Sequence, residues 1–382
     1  MNTNFKQLPM LLGAGLVLAQ AASGDGYRNP PPTAEGIAKS GVNAAFVDDA
    51  SAISYNPANL AMQTNKSLVV SLSMARTENT YTPPGSPVSY ESDGDWNYLP
   101  NLYYAQPVAN GVTVGLGITT PYGQGISWNP SDFAPGVGLG PGQRPVVPYE
   151  ATAMILDITP SAAFKIVDNL SFGVGLDIYY SQLDLNSLID SALTGVPPGT
   201  VLSTKGEGDA WGLGANAGLT WLPTENQRVI ATFKSGVELD YSGDFQVEGT
   251  DVGSFETTIK YPNSIGLGYG IELGNAFQVE ALVEWLQWSV NDSQTVVAGA
   301  NTLTLENKWD DTFTFGLGGS WFATDTLTVR AGYAYLPSPI PDNSVTPLLP
   351  DADRQAISVG LGYALGRNAF DIAYTFSIYG DR

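Results

Sequence analysis

Strand-length runs in which every second residue is apolar recur along this 382-residue chain, for example at 172–180, 313–318 and 357–363. Successive side chains of a strand point to opposite faces, and a soluble sheet would carry charge on the face turned away from its core. Here that second face is mostly Gly, Ser and Thr, which suits the crowded or wet interior of a barrel whose apolar face meets lipid. The pattern predicts an all-β fold, an antiparallel transmembrane β-barrel.

The amino terminus predicts export from the cytoplasm. Lys6 precedes an apolar run at 8–19, and Ala19-Gln20-Ala21 has the small-x-small pattern of a signal-peptidase site. The alternative is a membrane anchor, but the run is shorter than the roughly 20 residues that a spanning helix needs. We therefore expect residues 1–21 to be a signal peptide and the mature barrel to lie in the bacterial outer membrane.

The composition excludes most catalytic chemistry. The chain has no Cys and no His, so it lacks a thiol nucleophile, an imidazole base and the usual soft metal ligands. The formal net charge of -21 argues against nucleic acid as a partner. We expect neither an enzyme nor a bound cofactor or metal, and we interpret the acidity as solvated loop surface.

The chain divides into a non-alternating part at 22–64 and an alternating part at 65–382. In the first part, Asn56-Pro57 ends a short helical turn, because the residue before proline is pushed out of the helical region. Such a segment does not fit a barrel wall, so it is either a periplasmic extension or a plug (hatch) in the lumen. In the second part we count about thirteen strands, joined alternately by tight turns and long loops.

Two of the long loops carry apolar residues that water-facing loops normally avoid. In the connection at 121–150, the candidates for ligand binding are Tyr122, Ile126, Trp128 and Phe133, with Arg144 as the single cation. In the connection from Leu183 to Leu202, the spacing of Leu188, Leu193 and their apolar neighbours predicts an amphipathic helical segment. Two interpretations remain open, a landing groove for an apolar ligand or a small core within the loops themselves.

Alternation also predicts which charged side chains enter the lumen. Strict parity places Lys234 and Glu238 on the inner face of one strand, and Glu256 and Lys260 on the inner face of the next. The same rule turns three further charges inward: Glu280, Glu284 and Arg330. Lys234, Lys260 and Arg330 would then form a lumenal basic set, which either braces the barrel through ion pairs or contacts the ligand.

Several motifs resemble those of the FadL family of outer-membrane transporters of long-chain fatty acids and other hydrophobic compounds. They are DDASA at 48–52, NPANL at 56–60, PYG at 121–123, EWLQWS at 284–289, LTVRAGY at 327–333, SPI at 338–340 and PDADR at 350–354. The resemblance covers essentially the whole mature chain. It implies a fourteen-stranded barrel that is plugged by its amino-terminal segment, and about thirteen of these strands are visible here.

The resemblance also implies a passive function. A fatty acid or related molecule would be captured among the outer loops, pass to a lumenal pocket and leave sideways at a kinked strand when the hatch rearranges. Asn56, Pro57 and Ala58 would then be gating residues, although they suit a fixed stop equally well. The implied partners are hydrophobic small molecules, such as fatty acids or aromatic hydrocarbons, together with outer-membrane lipids and the barrel-assembly machinery. The alternatives are a hydrophilic porin and a structural barrel, and we expect a monomer.

Strand parity makes one further prediction. A barrel of a bacterial single chain has an even number of strands, whereas the run at 370–378 travels outward and would leave residues 381 and 382 at the outer surface. We therefore expect one returning strand to be missing from this sequence. The alternative is parallel pairing between the first and last strands of the wall.

Overall fold

The computed structural model describes residues 10–16, 25–76, 78–82, 87–94, 96–140, 143–194 and 199–381. The helical elements are short: α1 (Ala34–Ala38), α2 (Ala52–Tyr55), α3 (Pro130–Phe133) and 3-10 turns at Pro57–Met62, Ala134–Gly136, Ser191–Thr194 and Trp288–Val290. In the part of the chain that is described, no helix is both long enough and apolar enough to cross a membrane.

Strands make up most of the fold. In chain order they are β1 (Met10–Leu16), β2 (Ser67–Arg76), β3 (Thr80–Tyr81), β4 (Tyr90–Glu91), β5 (Trp96–Ala109), β6 (Val112–Thr119), β7 (Gly123–Ser127), β8 (Val146–Val167), β9 (Leu170–Asp190), β10 (Val201–Thr224), β11 (Gln227–Lys234), β12 (Val237–Val247), β13 (Thr250–Tyr261), β14 (Ser264–Leu273), β15 (Phe277–Leu286), β16 (Ser293–Ala298), β17 (Asn301–Glu306), β18 (Thr312–Phe322), β19 (Leu327–Leu336), β20 (Arg354–Leu365) and β21 (Asn368–Tyr379).

The wall follows chain order and is antiparallel from β2 to β21. Five of its strands are interrupted, so that β6 and β7, β11 and β12, β13 and β14, β15 and β16, and β17 and β18 are each two parts of one wall strand. Counted in this way, thirteen strands run from β2 to β21, as alternation predicts.

The seam between the first and last of these strands is filled by β1, which runs parallel to both. Leu12 pairs with Val70 of β2 and with Phe370 of β21. Among the described residues, β2 and β21 do not pair with each other. The strand β1 lies within the predicted signal peptide, whose cleavage site at 19–21 is outside the described residues. The signal peptide and the missing strand therefore stay predictions.

The outward face of the wall is apolar and the inward face is small or polar. On β9, Phe172, Val174 and Leu176 are exposed on the outside, whereas Asp177 and Tyr179 are fully buried on the inside. The same division holds on β18, β20 and β21. This arrangement puts an apolar surface against lipid and confirms the predicted fold class.

One extra residue changes the polarity of the wall partway along β11 and β12. Asn216 of β10 pairs with Lys234, and Asp209 pairs with Ser242, so seven steps along β10 match eight steps along its neighbour. The additional residue lies at the connection 235–236 and acts as a β-bulge. Because alternation has a period of two, such an insertion moves every later side chain of the strand to the opposite face.

The bulge corrects part of the predicted lumenal set. Val237, Leu239 and Tyr241 point inward and are buried, and Glu238 points outward, where its carboxylate lies 3.4 Å from the Nζ atom of Lys260. Lys260 and Glu256 of β13 lie directly opposite Glu238 and Ser242, so they share the outward face, and the predicted inward orientation of Glu238, Glu256 and Lys260 is wrong. Strict parity holds for Lys234 because this residue precedes the bulge.

Residues 25–64, which we call the inner segment, lie inside the barrel. Helix α1 packs on β19, β20 and β21, and the turn Pro57–Met62 packs on β8, β9 and β10 on the other side of the wall. Most of the segment is buried, including Ile37, Ala52 and Leu60. An extended conformation outside the barrel would leave these side chains in water.

Candidate functional site

The wall is interrupted between β6 and β7, where Thr120, Pro121 and Tyr122 leave the strand. Before the interruption in the chain, β6 pairs with both β5 and β8. After the interruption, β7 pairs with β8, whereas the part of β5 that faces it, at 96–101, pairs with β2 alone among the described residues. Pro121 has no N–H to donate to a ladder. In the described part of the chain, no backbone hydrogen bond joins β5 at 96–101 to β7, and the gap between them ends where the N–H of Asp93 donates to the carbonyl of Ser127 at 2.8 Å.

The inner segment covers this gap from inside. The backbone N–H of Asn29 donates to the carbonyl of Pro121 at 3.0 Å, and the N–H of Gly123 donates to the carbonyl of Tyr27 at 3.1 Å. The side-chain amide of Asn29 also donates to the carbonyl of Thr120 at 2.9 Å. The start of the inner segment thus forms hydrogen bonds with backbone groups of Thr120, Pro121 and Gly123, with which β5 does not pair.

An aromatic cluster lies beside the gap. It consists of Tyr27, Tyr122, Tyr179, Tyr241, Phe255 and Tyr261, with Val237, Leu239 and Ile259 as aliphatic neighbours. The rings of Tyr122 and Tyr261 are 4.5 Å apart between centroids, and those of Tyr27 and Tyr261 are 5.8 Å apart. The bulge at 235–236 is what turns the residues of β12 toward this cluster. The sequence candidate Tyr122 belongs here and not to the outer loops.

A set of polar residues around Lys234, which we call the polar group, adjoins the aromatic cluster at Tyr179. The Nζ atom of Lys234 lies 2.8 Å from Oδ2 of Asp157, 3.7 Å from Oδ1 of Asp177 and 5.5 Å from the centre of the Tyr179 ring. Asp157 and Asp177 are fully buried. The predicted inward position of Lys234 is confirmed, but its ammonium group already faces two carboxylates.

Three ion pairs fasten the inner segment to the wall. Arg28 contacts Glu284 at 2.7 Å and Lys39 contacts Glu280 at 2.6 Å. Arg330 is shared between Glu35 of the inner segment at 3.1 Å and Asp371 of β21 at 2.6 Å. Parity correctly predicted that Glu280, Glu284 and Arg330 point inward. Their contacts favour the bracing role over direct ligand contact.

The charges of the inner segment respond strongly to this environment. Burial alone would raise the pKa of Glu35, but Lys39 and Arg330 lower that pKa to about 2. Burial raises the pKa of Asp25 to about 6, although Arg28 lies 3.1 Å from it. Burial, with a smaller contribution from Glu35, raises the pKa of Asp49 to about 7. The segment therefore contains carboxyl groups that prefer opposite protonation states.

Asn56, Pro57 and Ala58 are fitted closely to the wall. The Asn56 side chain donates to Thr220 Oγ1 at 2.8 Å and accepts from the Ala58 N–H at 3.2 Å. A Cβ atom on Gly173 would lie 2.3 Å from the carbonyl carbon of Pro57, so glycine is required opposite this turn. The geometry is that of a tightly seated stop, and a gating role for these three residues remains a proposal.

The outer-loop candidates form a small core of their own. Ile126, Trp128, Phe133 and Leu188 are buried in one cluster with Val137. Tyrosines 81 and 90, Val147, Tyr149 and Leu348 pack against it, so it joins residues from several outer loops. Trp128 donates its indole N–H to the carbonyl of Pro347 at 3.0 Å. This conformation corresponds to the second of the two open interpretations, a small core within the loops themselves.

Three details of the loops differ from the sequence prediction or add to it. The predicted amphipathic helix over 183–202 is wrong for the described part, because β9 continues to Asp190 and only a 3-10 turn follows. Leu193 is exposed. Arg144 is also exposed, and its side chain has no ion pair among the described residues. Neither residue joins the buried loop core.

Sequence reasoning missed Tyr27, Asp157 and Asp177. The last two occupy polar positions in otherwise alternating strands, which was a usable signal for inward charge. Tyr27 carries no such signal, because it lies in a segment without periodicity and its place depends on the barrel around it.

The antiparallel wall with an apolar outer face, together with a closely fitted inner segment, defines an outer-membrane β-barrel. Residues 15–380 match the family model described as outer membrane protein transport protein (OMPP1/FadL/TodX), and the chain belongs to this family. The predicted family and outer-membrane location are confirmed.

Relatives and solved structures agree with this assignment. A "Long-chain fatty acid transport protein" of Escherichia coli is 23% identical over 421 residues, which cover 96% of this chain and 89% of that protein. The crystal structure of a Pseudomonas aeruginosa FadL homologue has a TM-score of 0.77 at 19% identity and covers 93% of this chain and 91% of its own. The Ralstonia pickettii toluene transporter TbuX has a TM-score of 0.72 at 21% identity, with 91% and 93% covered. At these identities the solved structures establish the shared fold.

Proposed function

We propose that this protein carries hydrophobic small molecules passively across the outer membrane, with the inner segment as a hatch. The cargo class is long-chain fatty acids or other apolar compounds, as the names of the fatty-acid and toluene transport relatives suggest. The molecule is captured among the outer loops, passes to the aromatic cluster and leaves sideways through the gap between β5 and β7.

The apolar surfaces along this route support the proposal. The outer-loop core and the aromatic cluster both contain large apolar side chains, and the adjoining strand β9 contributes to each of them through Leu188 and through Tyr179 and Leu183. Each methylene group that an apolar ligand buries against such surfaces contributes about 0.8 kcal/mol. Because both clusters are closed in this conformation, ligand entry requires the loop core to open.

The backbone pairing of the inner segment with the strand break carries the proposal. Tyr27 and Asn29 satisfy backbone groups of Gly123 and Pro121, which would otherwise face a gap in the wall. An unpaired backbone group in lipid costs several kcal/mol, so this edge stays covered while the inner segment is seated. Movement of the inner segment would uncover the gap, and this couples hatch displacement to lateral release.

A reversible crosslink tests the coupling. Arg28 and Tyr122 face each other as an isolated antiparallel bridge between the hydrogen bonds of their neighbours. Such pairs have Cα atoms about 4.5 Å apart, which a disulfide can span. The chain has no natural Cys, so the double variant R28C/Y122C carries a single possible intramolecular bridge.

The measurement is uptake of oleate and of toluene by liposomes that contain the full chain. We expect the oxidised double variant to lose uptake, and reductant to restore it to the level of the two single-cysteine controls. Equal uptake in the oxidised and reduced states would reject release through this gap. A large, steady conductance of the wild type in planar bilayers would instead indicate a hydrophilic porin.

A further inference from the structure

The polar group beside the aromatic cluster is short of hydrogen-bond donors. The hydroxyl of Thr159, with one proton, lies 3.0 Å from Oδ1 of Asp157 and 3.2 Å from Oδ1 of Asp177. Asn216 donates to Oδ1 of Asp177 at 2.7 Å, and Lys234 makes its short contact with Asp157. Among the described residues, nothing donates to the second oxygen of Asp177.

Two further polar atoms, on the inner-face positions that flank Asp177, have no partner in the described part of the chain. They are the hydroxyl of Tyr179 and the amide oxygen of Asn216, and both are buried. Asp177 and Tyr179 are two positions apart on β9 and so share its inner face, and Asn216 pairs with Gly175 on the adjacent strand. Buried polar groups are nearly always hydrogen-bonded, so three unpartnered atoms together mark a place for a further polar group.

The aromatic cluster and this polar group meet at Tyr179, whose ring packs with the cluster and whose hydroxyl is unpartnered. Lys234 is the most exposed member of the polar group, with 26% of its side chain accessible, and its contact with Asp177 is long at 3.7 Å. A small displacement of the ammonium group from Asp177 would therefore admit a ligand atom from the side of the aromatic cluster.

We propose that Asp177, Tyr179 and Asn216 form a subsite for the hydroxyl group of an aromatic ligand, such as a phenol. The hydroxyl donates to the free oxygen of Asp177 or Asn216 and accepts from Tyr179, while the ring of the ligand packs among the tyrosines. This inference rests on the proposed function and specifies the cargo that the site selects. A ligand carboxylate fits poorly, because it would meet two buried carboxylates balanced by a single ammonium group.

Three probes with the same ring and different substituents test the subsite: phenol, toluene and benzoate. Equilibrium binding to the full chain in detergent should be about tenfold tighter for phenol than for toluene, the factor expected for one hydrogen bond to a charged group. Benzoate should bind more weakly than either. In Asp177→Asn the preference for phenol over toluene should disappear and benzoate binding should improve.

Tyr179→Phe should reduce the same preference and leaves every ion pair in place, which covers the possibility that Asp177→Asn does not fold. Glu238→Gln removes an outward-facing carboxylate and should change none of the three affinities. An equal affinity of the wild type for phenol and toluene, or a preference that survives both inner variants, would overturn the subsite. Saturable oleate uptake without a preference for phenol would overturn the subsite alone, whereas absence of uptake of any apolar probe would reject the proposed function.

Discussion

Lys39 and Glu280 form a salt bridge of 2.6 Å between the inner segment and strand β15, and both side chains are almost completely buried. A second carboxylate oxygen of Glu280 accepts the backbone N–H of Ala45 at 2.8 Å, and Lys39 also contacts Glu35 at 2.9 Å. Glu280 therefore joins two points of the inner segment to one strand. Removing the charge of Glu280 leaves the buried ammonium group of Lys39 with one carboxylate partner instead of two.

The first prediction follows from this pair. Glu280→Gln should destabilise the seated inner segment by about 3–5 kcal/mol, the range for breaking a buried ion pair, reduced to the extent that Glu35 compensates. The expected readouts are a lower midpoint for unfolding in detergent and urea, and a higher bilayer conductance. Asp184→Asn removes one partner of the exposed Lys205 and should cost less than about 1 kcal/mol. Equal effects of the two variants would contradict a fastening role for Glu280.

The second prediction concerns pH above neutrality. Because the pKa of Asp49 in the folded protein is about 7, above its ordinary 3.8, the folded state favours the protonated carboxyl. The contribution of Asp49 to the stability of the folded state is fully present below about pH 4 and is lost as the pH rises to about 7. We expect leak conductance to be higher at pH 8 than at pH 5. Asp49→Asn should flatten this difference, and Asp325→Asn, in an exposed turn, should not.

Acid should have the opposite effect through Glu35. The folded-state pKa of Glu35 is about 2, below its ordinary 4.5, so its contribution is present above about pH 4.5 and is lost as the pH falls toward 2. The inner segment should therefore be most firmly seated between about pH 4 and pH 4.5, where both contributions are nearly complete. Protease cleavage within residues 25–64, measured from pH 3 to pH 8, should show a minimum in that range, and a flat profile would contradict the assignment.

A third prediction uses the close approach of the inner segment to the wall. In Gly173→Ala the new methyl group would overlap the backbone of Pro57, so the turn at 57–62 must move away from β9. The barrel should still assemble, as judged by its heat-modifiable mobility, while leak conductance or uptake changes. Gly136→Ala has no atom within 4 Å of the new methyl group and serves as the matched control. Unchanged conductance and uptake in Gly173→Ala would show that the seat of the turn is not functional.

The fourth prediction tests the change of face that the pair Glu238 and Lys260 shows beyond the bulge. On an otherwise cysteine-free chain, a cysteine at position 260 should react rapidly with a bulky, water-soluble maleimide added outside intact cells, because Lys260 faces outward. A cysteine at position 234, inside the barrel, should react slowly. Strict alternation predicts slow reaction at both positions. The ratio of the two rates therefore separates the two registers.

The wall was predictable from the sequence because its signal has a period of two and is local. Phe172 and Asp177 fall on opposite faces as alternation requires, and Arg330 points inward for the same reason. The bulge at 235–236 was not predictable in this way, because it is defined by the pairing of Asn216 and Asp209 with a different strand. A step of one residue there reversed the prediction for Glu238, and the matching step at 262–263 reversed it for Lys260, which pairs with Glu238.

The inner segment was less predictable, for a different physical reason. Its ion pairs, such as Arg28 with Glu284, join residues 256 positions apart, and no local pattern encodes the match. The spacing of Leu188 and its neighbours does suggest a helix, but pairing with β8 and β10 extends β9 through this region. Tertiary pairing outweighed the local preference there.

The bulge at 235–236 also has a consequence for where the solute meets the membrane. Before the bulge, Phe233 presents its ring to lipid; after it, Glu238 and Lys260 present charges on the same outer surface. The charges indicate that the rim from Val237 to Tyr261 lies at or above the level of the lipid headgroups, with Val237, Leu239 and Tyr241 on its inner side. On the proposed route, an apolar solute would leave water for this apolar inner surface above the hydrocarbon level and would not have to dissolve in the headgroup layer.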